Sequence, residues 1–556
     1  MGRIDDLANR YVDEWAPLHP CEATYVGLKG HDHRLDDLSP DGFAAQAELT
    51  RRTLTELDVT EPETESERVA KEAMQERLGL ELARYDAGEV TSEINVISSG
   101  LHNIRQVFDL MPTQGEEAVA NIAARLNQFP TALEQYKTTL RAAADAGHVG
   151  ARAQMIEVAK QCATWTDPSG DNFFHGLTDR LSADATLSAE LARGAAAATA
   201  ATAEFGRFLR TELAPRGRKT QAAGRERYEL ASQYFLGAKV DLDETYAWGF
   251  EELARLENEM RALAARIVRP GASIDEAVDA LDADPARTIA GKEAFRDWMQ
   301  ALADKAVAEL HGTHFDIPEQ VRRIECCLAP TSDGGIYYTG PSEDFSRPGR
   351  MWWAVPAGVT EFSTWREVTT VYHEGVPGHH LQVGQTQVRA ELLNRWQRLL
   401  CWCSGHGEGW ALYSERLMED LGYLDDPGDR LGMLDAQALR AARVIVDIGM
   451  HLELEIPRDN PFDFHPGQRW TPELGWEFMR GHCRVADEFL RFELHRYLGW
   501  PGQAPAYKVG ERIWLQARDE ARTRKGADFD LKEFHRQALD LGPLGLDPLR
   551  KALARL

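Results

Sequence analysis

Apolar residues recur every three or four positions along much of this 556-residue sequence, a spacing that places them on one face of an α-helix. The longest segments with this spacing are also rich in Ala, Leu, Glu and Arg, which favour helices. These segments are Glu67–Tyr85, Glu116–Ala144, Ala183–Leu213 and Leu242–Ile267. The sequence therefore predicts a mainly α-helical protein built from many helices.

The pattern changes between residues 317 and 356, where short β-type runs and aromatic residues alternate with Gly and Pro. Gly335–Tyr338 and Met351–Trp353 are examples, and we expect a small β-sheet there. Earlier in the chain, the basic segment Pro215–Lys219 interrupts the helical pattern. We therefore predict an N-terminal helical lobe at 1–214 and a catalytic helical lobe at 226–556, which together can form one continuous domain, 1–556.

The net charge is −26, from 63 basic and 89 acidic residues. Such a surface repels nucleic acids and anionic membranes, so neither is an expected partner. The sequence has no apolar run of ~18 residues and no apolar signal-peptide core near its start. Its seven cysteines, an odd number, are typical of reduced thiols. We expect a cytoplasmic protein, either a monomer or a homodimer.

The residues most indicative of chemistry are a His-Glu pair, His373 and Glu374, followed by further histidines. Zinc hydrolases with this pair need a second histidine one helical turn later, but Pro377 occupies that position. On an ideal helix His379 lies about 120° off the face of His373. His380 returns to that face but lies about 10 Å further along the axis. An undistorted helix therefore cannot form the metal site.

Pro377 and Gly378 indicate how the backbone could be distorted there. Proline removes a helical hydrogen bond, and glycine accepts unusual backbone angles. Two residues bulged out of the helix would return His379 to the position of a normal second ligand. We therefore predict His373 and His379 as metal ligands, with His380 as the competing second ligand or, failing that, a substrate-binding residue.

A third ligand is expected from another helix, where Glu408 and Glu415 share one face. One glutamate would bind the metal and the other would support an imidazole; we take Glu408 as the ligand and Glu415 as the support. Two histidines and a carboxylate suit one Zn²⁺ ion per chain. An isolated His or Glu is usually structural or solvated, but Glu374 beside a ligand is the residue expected for a general base.

A narrow polar stripe lies on the predicted helix Leu431–Leu454, where Arg440, Arg443, Asp447 and His451 fall within about 80° of arc. The stripe could line a substrate cleft, with Asp447 in a supporting role. It could instead be an internal salt-bridge network in which Asp447 pairs with Arg440 or Arg443. The cations that could bind a substrate carboxylate are Arg347, Arg443 and Lys508.

The run His-Glu-x-x-Pro-Gly-His-His, followed by the Glu408–Glu415 sequence Glu-Gly-Trp-Ala-Leu-Tyr-x-Glu, resembles the signature of a bacterial domain-of-unknown-function family, DUF885, which is similar to the gluzincin metallopeptidases. The resemblance extends over nearly the whole chain. Other matching segments are Pro20–Thr24, Leu38–Pro40, Pro341–Gly349, Pro501–Tyr507 and Asp530–His535, with Pro505 as a departure from the pattern.

The resemblance implies a gluzincin-like architecture with a central cleft. It favours His379 over His380 as ligand, since the family motif tolerates another residue at the second position. It also implies Tyr507 as a donor to the oxyanion, because gluzincins place a tyrosine near the metal from a C-terminal segment. We expect a zinc metallopeptidase acting on short peptides. A zinc amidase or esterase acting on a small non-peptide metabolite, and a metal-binding protein without catalysis, are the alternatives.

Overall fold

The computed structural model describes residues 2–169, 172–329, 335–356 and 358–556, and these residues are mainly helical. The helices are α1 Arg3–Trp15, α2 Pro20–Tyr25, α3 Pro40–Val59, α4 Glu65–Asp86, α5 Gly100–Leu110, α6 Glu116–Asp145, α7 Arg152–Trp165, α8 Phe173–Thr178, α9 Ala185–Phe208, α10 Arg225–Leu236, α11 Leu242–Ile267, α12 Ile274–Asp282, α13 Lys292–Leu310, α14 Thr364–Glu374, α15 His379–Val388, α16 Arg395–Leu399, α17 Ser404–Asp420, α18 Pro427–Leu452, α19 Pro472–His482, α20 Asp487–Gly499, α21 Ala506–Lys525, α22 Leu531–Asp540 and α23 Leu546–Arg555. The four long helical predictions are confirmed, with a π-helical segment, Leu209–Leu213, after α9.

Two compact units make up the chain. The first consists of the N-terminal residues up to Pro62, together with Leu78–Ala223 and Phe492–Trp500. Its core contains buried aromatic side chains such as Phe129 and Phe174, whose ring centroids are 5.1 Å apart. Helices α6 and α9 pack closely in this core, since a Cβ on Gly194 would lie 2.8 Å from Leu126 Cβ. The Ala/Thr-rich part of α9 thus serves close helix packing.

The second unit consists of Glu63–Arg77, Gly224–Arg491 and Pro501–Leu556, and it contains every predicted site residue. Helix α18 is buried along almost its whole length. It is capped at its N-terminus by Asp426, whose carboxylate accepts hydrogen bonds from the N–H groups of Gly428 and Asp429. Helix α14 packs directly on α18, because a Cβ on Gly432 would overlap the carbonyl oxygen of Trp365. This contact fixes the helix that carries His373.

The predicted small sheet is present among the described residues of 317–356, of which 330–334 lie outside the description. Its strands are β2 Ile324–Leu328, β3 Ile336–Thr339 and β4 Gly349–Trp353, preceded and followed in the chain by the β1 Thr288–Ala290 and β5 Glu361–Ser363 pair. The central strand β4 pairs with β2 in parallel and with β3 antiparallel. Phe295 of α13 and Val371 of α14 join the core on this sheet, which supports the outer side of α14.

Two further sequence expectations concern membranes and thiols. No helix in the described residues is both long and apolar enough to cross a bilayer. All seven cysteines are free thiols, and six of them are buried. The sequence pattern of Thr364 followed by Glu367 is typical of a capping box, but no such box forms at the start of α14. Ser363 precedes α14 without a side-chain cap, and the Thr364 hydroxyl instead donates to the carbonyl of Arg287 at 3.1 Å.

Candidate metal centre

The backbone breaks between the two histidines predicted to bind metal. Helix α14 ends at Glu374 and α15 begins at His379. Across the break, the N–H of Gly378 donates to the carbonyl of Tyr372, six residues earlier, at 3.1 Å. A regular helix would make this bond across four residues, so two extra residues are accommodated here. The expected two-residue offset is confirmed, although it separates two helices rather than forming a bulge within one.

Specific contacts hold this break in place. A Cβ on Gly378 would overlap the carbonyl oxygen of His373, so only glycine fits. The indole N–H of Trp410 donates to the carbonyl of Pro377 at 2.9 Å, which ties the break to α17. The same helix supplies Glu408. The element that positions the second histidine is therefore attached directly to the element that positions the carboxylate.

His373, His379 and Glu408 bring their side chains to one point. Each histidine Nε2 lies 3.4 Å from Oε2 of Glu408, and the ligand atoms all lie within 4.8 Å of one another. The two imidazole rings are nearly perpendicular, with centroids 4.9 Å apart. Tetrahedral zinc with ligands at about 2.0–2.1 Å separates them by roughly 3.3–3.4 Å. The donor types and the spacing therefore fit one zinc ion with a fourth position left for water.

Glu415 lies behind His373, on the side away from Glu408. His373 Nδ1 donates to Oε1 of Glu415 at 2.7 Å, and Thr369 Oγ1 donates to Oε2 at 2.9 Å. The amide of Gln437 lies 3.5 Å from the same Oε2. Burial acts to raise the pKa of Glu415, but His373, Arg440 and Thr369 together outweigh it and the pKa is lowered. An ionised Glu415 fixes the ring so that Nε2 faces the cluster.

Glu374 is buried beside this cluster. Its Oε2 has no hydrogen-bond partner in the part of the chain that the structure describes. Burial raises the pKa of Glu374, while His379 and His373 act in the opposite direction. Burial also acts to raise the pKa of Glu408, yet the adjacent histidines, His379 first, hold it well below its usual range. Glu374 thus has an available acceptor atom, as a general base requires.

His380 is placed differently from its neighbour His379. Its Nδ1 accepts from the hydroxyl of Tyr338 at 2.8 Å, and its Nε2 donates to the carbonyl of Val321 at 2.7 Å. Burial lowers the pKa of His380 to about 4, so the ring is neutral. Protein groups therefore occupy both ring nitrogens of His380, the residue predicted as the competing metal ligand or as a substrate-binding residue.

The C-terminal part of the polar stripe on α18 lies in the protein interior. Asp447 and His451 are 0 % exposed. Oδ2 of Asp447 accepts from the Tyr228 hydroxyl at 2.6 Å and from the N–H of Gly502 at 2.9 Å, and His451 Nε2 lies 3.8 Å from Oδ1. His451, predicted to bind substrate, is thus buried, and Asp447 belongs to a buried network that includes Tyr228 and Gly502.

Lys508 is also fully engaged inside the protein. Only 1 % of this residue is exposed. Its Nζ donates to Oε1 of Gln437 and to Oε2 of Glu511, both at 2.5 Å, and lies 3.0 Å from Oε1 of Glu252. Protein oxygens thus surround the ammonium group that the sequence predicted to bind a substrate carboxylate. Through Gln437, Lys508 instead reaches Glu415, the partner of His373.

The remaining predicted residues are Tyr507, Arg443 and Arg347. Tyr507 is partly exposed at the start of α21, and the guanidinium of Arg443 lies over its ring at 4.8 Å. Arg347 is partly exposed and donates from Nη2 to the carbonyl of Gly340 at 3.0 Å. Their roles at an oxyanion or a substrate carboxylate stay predictions.

Two neighbours of the cluster, Thr369 and Trp402, have no role in the sequence predictions, whereas Arg440 is already part of the predicted polar stripe on α18. Thr369 lies one helical turn before His373, so helical spacing could have identified it. Arg440 is partly exposed, and its charge acts to lower the pKa values of Glu374 and Glu415. Two aromatic rings flank His379, with centroid distances of 6.5 Å for Tyr338 and 6.2 Å for Trp402. No spacing rule indicates the two aromatics, since they come from a strand and from a loop.

Comparison with known proteins gives a family but no activity. The family described as "Bacterial protein of unknown function (DUF885)" matches residues 20–553. No curated protein matches the sequence. A crystal structure of a candidate lipoprotein from Colwellia psychrerythraea has a TM-score of 0.84 at 22% identity, covering 100% of this chain and 98% of that one.

A candidate lipoprotein of unknown function from Shewanella oneidensis has a TM-score of 0.72 at 16% identity, with 100% of each chain covered. At these identities the likeness shows the fold alone. The family match, in contrast, extends over nearly the whole sequence. The chain therefore belongs to the bacterial family DUF885, whose function is unknown.

Proposed function

We propose that this protein is a zinc-dependent hydrolase, and specifically a metallopeptidase that cleaves short peptides with a metal-activated water. The observation that carries the proposal is the convergence of His373, His379 and Glu408 within 4.8 Å, with the unpartnered carboxylate oxygen of Glu374 beside them. Three protein ligands leave a coordination position open, which is typical of catalytic rather than structural zinc sites.

Each residue of the cluster has a distinct task in this reaction. Bound zinc supplies Lewis acidity, which lowers the pKa of water and polarises a carbonyl group. Glu374 takes the proton from the attacking water at Oε2 and passes it to the leaving nitrogen. Glu415 holds the Nδ1–H of His373, which keeps its Nε2 facing Glu408, where His373, His379 and Glu408 would hold the ion. Tyr507 remains our candidate donor to the oxyanion.

Two alternatives use the same residues. A zinc amidase or esterase would need the same ligands and the same base, and the similarity of the His373–His380 and Glu408–Glu415 motifs to gluzincins is what favours a peptide. A non-catalytic metal site would have no use for a buried, unpartnered Glu374, because leaving a polar atom without a partner costs about 1–3 kcal/mol. We therefore place the non-catalytic site last.

The test combines metal content with hydrolysis. Wild type and Glu374→Gln should each retain about one zinc per chain after reconstitution and dialysis. A short-peptide library should be cleaved by the wild type and about 10²–10⁴-fold more slowly by Glu374→Gln. Glu361→Gln, at an exposed glutamate of β5, is the matched control and should behave as wild type.

The same proteins should be assayed on acylated amino acids. Cleavage of these alone would replace the peptidase by the amidase or esterase. A wild-type protein that binds no zinc after reconstitution, or a Glu374→Gln protein that cleaves at the wild-type rate, would contradict the proposal.

A further inference from the structure

A tryptophan stands exposed beside the metal cluster. Trp402 lies in the short loop between α16 and α17, and 48% of the residue is accessible to solvent. Its ring centroid is 6.2 Å from that of His379, with the planes at 52°. Half-exposed indole surface is unfavourable in water, at about 25 cal/mol per Å² of apolar area. An exposed tryptophan next to candidate ligands therefore calls for an explanation.

The loop holds the indole in a fixed place. Cys401 and Cys403 on either side are buried, and their thiols donate to the carbonyls of Pro543 at 3.1 Å and Phe235 at 3.5 Å. The indole packs over Gly407, where a Cβ would overlap the ring. Gly407 directly precedes Glu408 in the sequence. The ring is thus seated on the first turn of α17, adjacent to two of the three candidate ligands.

Tyr338 also lies beside His379, but its contacts differ from those of Trp402. Its ring is nearly parallel to that of His379, at 23° and 6.5 Å, but its hydroxyl is bonded to His380. Tyr338 therefore has an internal partner, and it supports the backbone that carries His379. Trp402 packs over Gly407, lies beside His379 and leaves 48% of its surface exposed to solvent. Ligand sites are commonly lined by aromatic side chains in this arrangement.

The geometry points to Trp402 as an apolar platform that binds the aromatic side chain of the substrate residue adjoining the cleaved bond. This inference rests on the proposed hydrolase function, and it adds a specificity to it: substrates with a benzyl-sized side chain at that position are preferred over those with a methyl group. Such a ring would rest on the indole while the reacting carbonyl lies at the metal cluster.

The test measures binding, so that it does not depend on finding a substrate. The probes are phenylalanine hydroxamate and alanine hydroxamate, which share a zinc-chelating group and differ only in a benzyl or methyl side chain. Calorimetric titration of the zinc-loaded full-length protein gives the ratio of the two dissociation constants. The variants are Trp402→Ala, Trp402→Phe and, as the matched control, Trp476→Ala on α19, which carries none of the site residues.

We expect the wild type to prefer the benzyl probe and Trp402→Ala to lose about 10-fold of that preference, equivalent to ~1.4 kcal/mol. Trp402→Phe should keep most of it, Trp476→Ala should keep all of it, and zinc content should be equal in every variant. If both probes bind but Trp402→Ala has the wild-type ratio, or the wild type has no preference, the platform is overturned while the metal site stands. If neither probe binds, the proposed function is overturned together with the inference.

Discussion

The metal cluster and the polar stripe of α18 each contain a histidine and a carboxylate, but their polar atoms are used differently. In the cluster, ligand atoms of His373, His379 and Glu408 converge within 4.8 Å. In the stripe and its neighbour α21, the carboxylate of Asp447 and the ammonium of Lys508 are already bound by protein groups. Whether a group of polar residues can bind a metal or a substrate therefore depends on which of their polar atoms are not already bound by protein groups. Helical spacing in the sequence does not indicate which atoms these are.

The same contrast occurs between two adjacent residues. His379 directs Nε2 at Glu408, whereas both nitrogens of His380 are bound by Tyr338 and Val321. His379 begins α15 at the metal cluster, and His380 anchors that helix to the sheet region. Substitutions can test this difference between polar atoms that face the cluster and polar atoms that protein groups already bind.

The largest effect is expected from alanine at His379. His379→Ala should lose stoichiometric zinc, because two ligands do not retain the ion, while His380→Ala should keep about one zinc per chain. His380→Ala should instead lower the free energy of unfolding, by about 1–3 kcal/mol for each buried group left without a partner. Atomic emission and urea unfolding on both variants check this. Zinc lost from His380→Ala and kept by His379→Ala would reverse our assignment.

Next in size is the effect of removing the buried charge of Lys508. Lys508→Met leaves Glu252 and Glu511 without their cation and should lower the free energy of unfolding by about 3–5 kcal/mol. Where the variant is folded, its relative KM values for peptides with a free or an amidated C-terminus should match those of the wild type. A selective rise of KM for the free carboxylate would return Lys508 to the substrate site.

Glu415→Gln should have an intermediate effect, confined to metal binding. Loss of the charged acceptor behind His373 should weaken zinc affinity by about 10–100-fold, as is usual for partners of metal-bound histidines. Competition with a chelator measures the affinity. Glu419→Gln, one turn later on α17 and paired with Arg416, is the control and should leave it unchanged. Equal affinities in the two variants would mean that Glu415 does not support the site.

Much of the fold and the centre of the site could be predicted from sequence because they depend on local rules. Helix spacing located Leu242–Ile267 at its observed bounds, and the absence of an i+4 histidine indicated the offset at Pro377 and Gly378. Roles that depend on packing between distant segments could not be predicted. Lys508 and Asp447 have partners 55 to 256 residues away, at Gly502, Gln437, Tyr228 and Glu252, and no pattern within one helix identifies them.

The smallest effect is expected from Asp447→Asn, which keeps the shape of the side chain and removes only its charge. The asparagine oxygen can still accept from Tyr228 and Gly502, so the loss is the difference between charged and neutral hydrogen bonds, about 1 kcal/mol. Zinc content and turnover should be unchanged, since the carboxylate lies in the buried network and not among the ligands. Urea unfolding and metal analysis on the same sample separate the two effects. If turnover falls while the free energy of unfolding is unchanged, Asp447 takes part in the reaction. The stripe of α18 would then be functional, as the metal cluster is proposed to be.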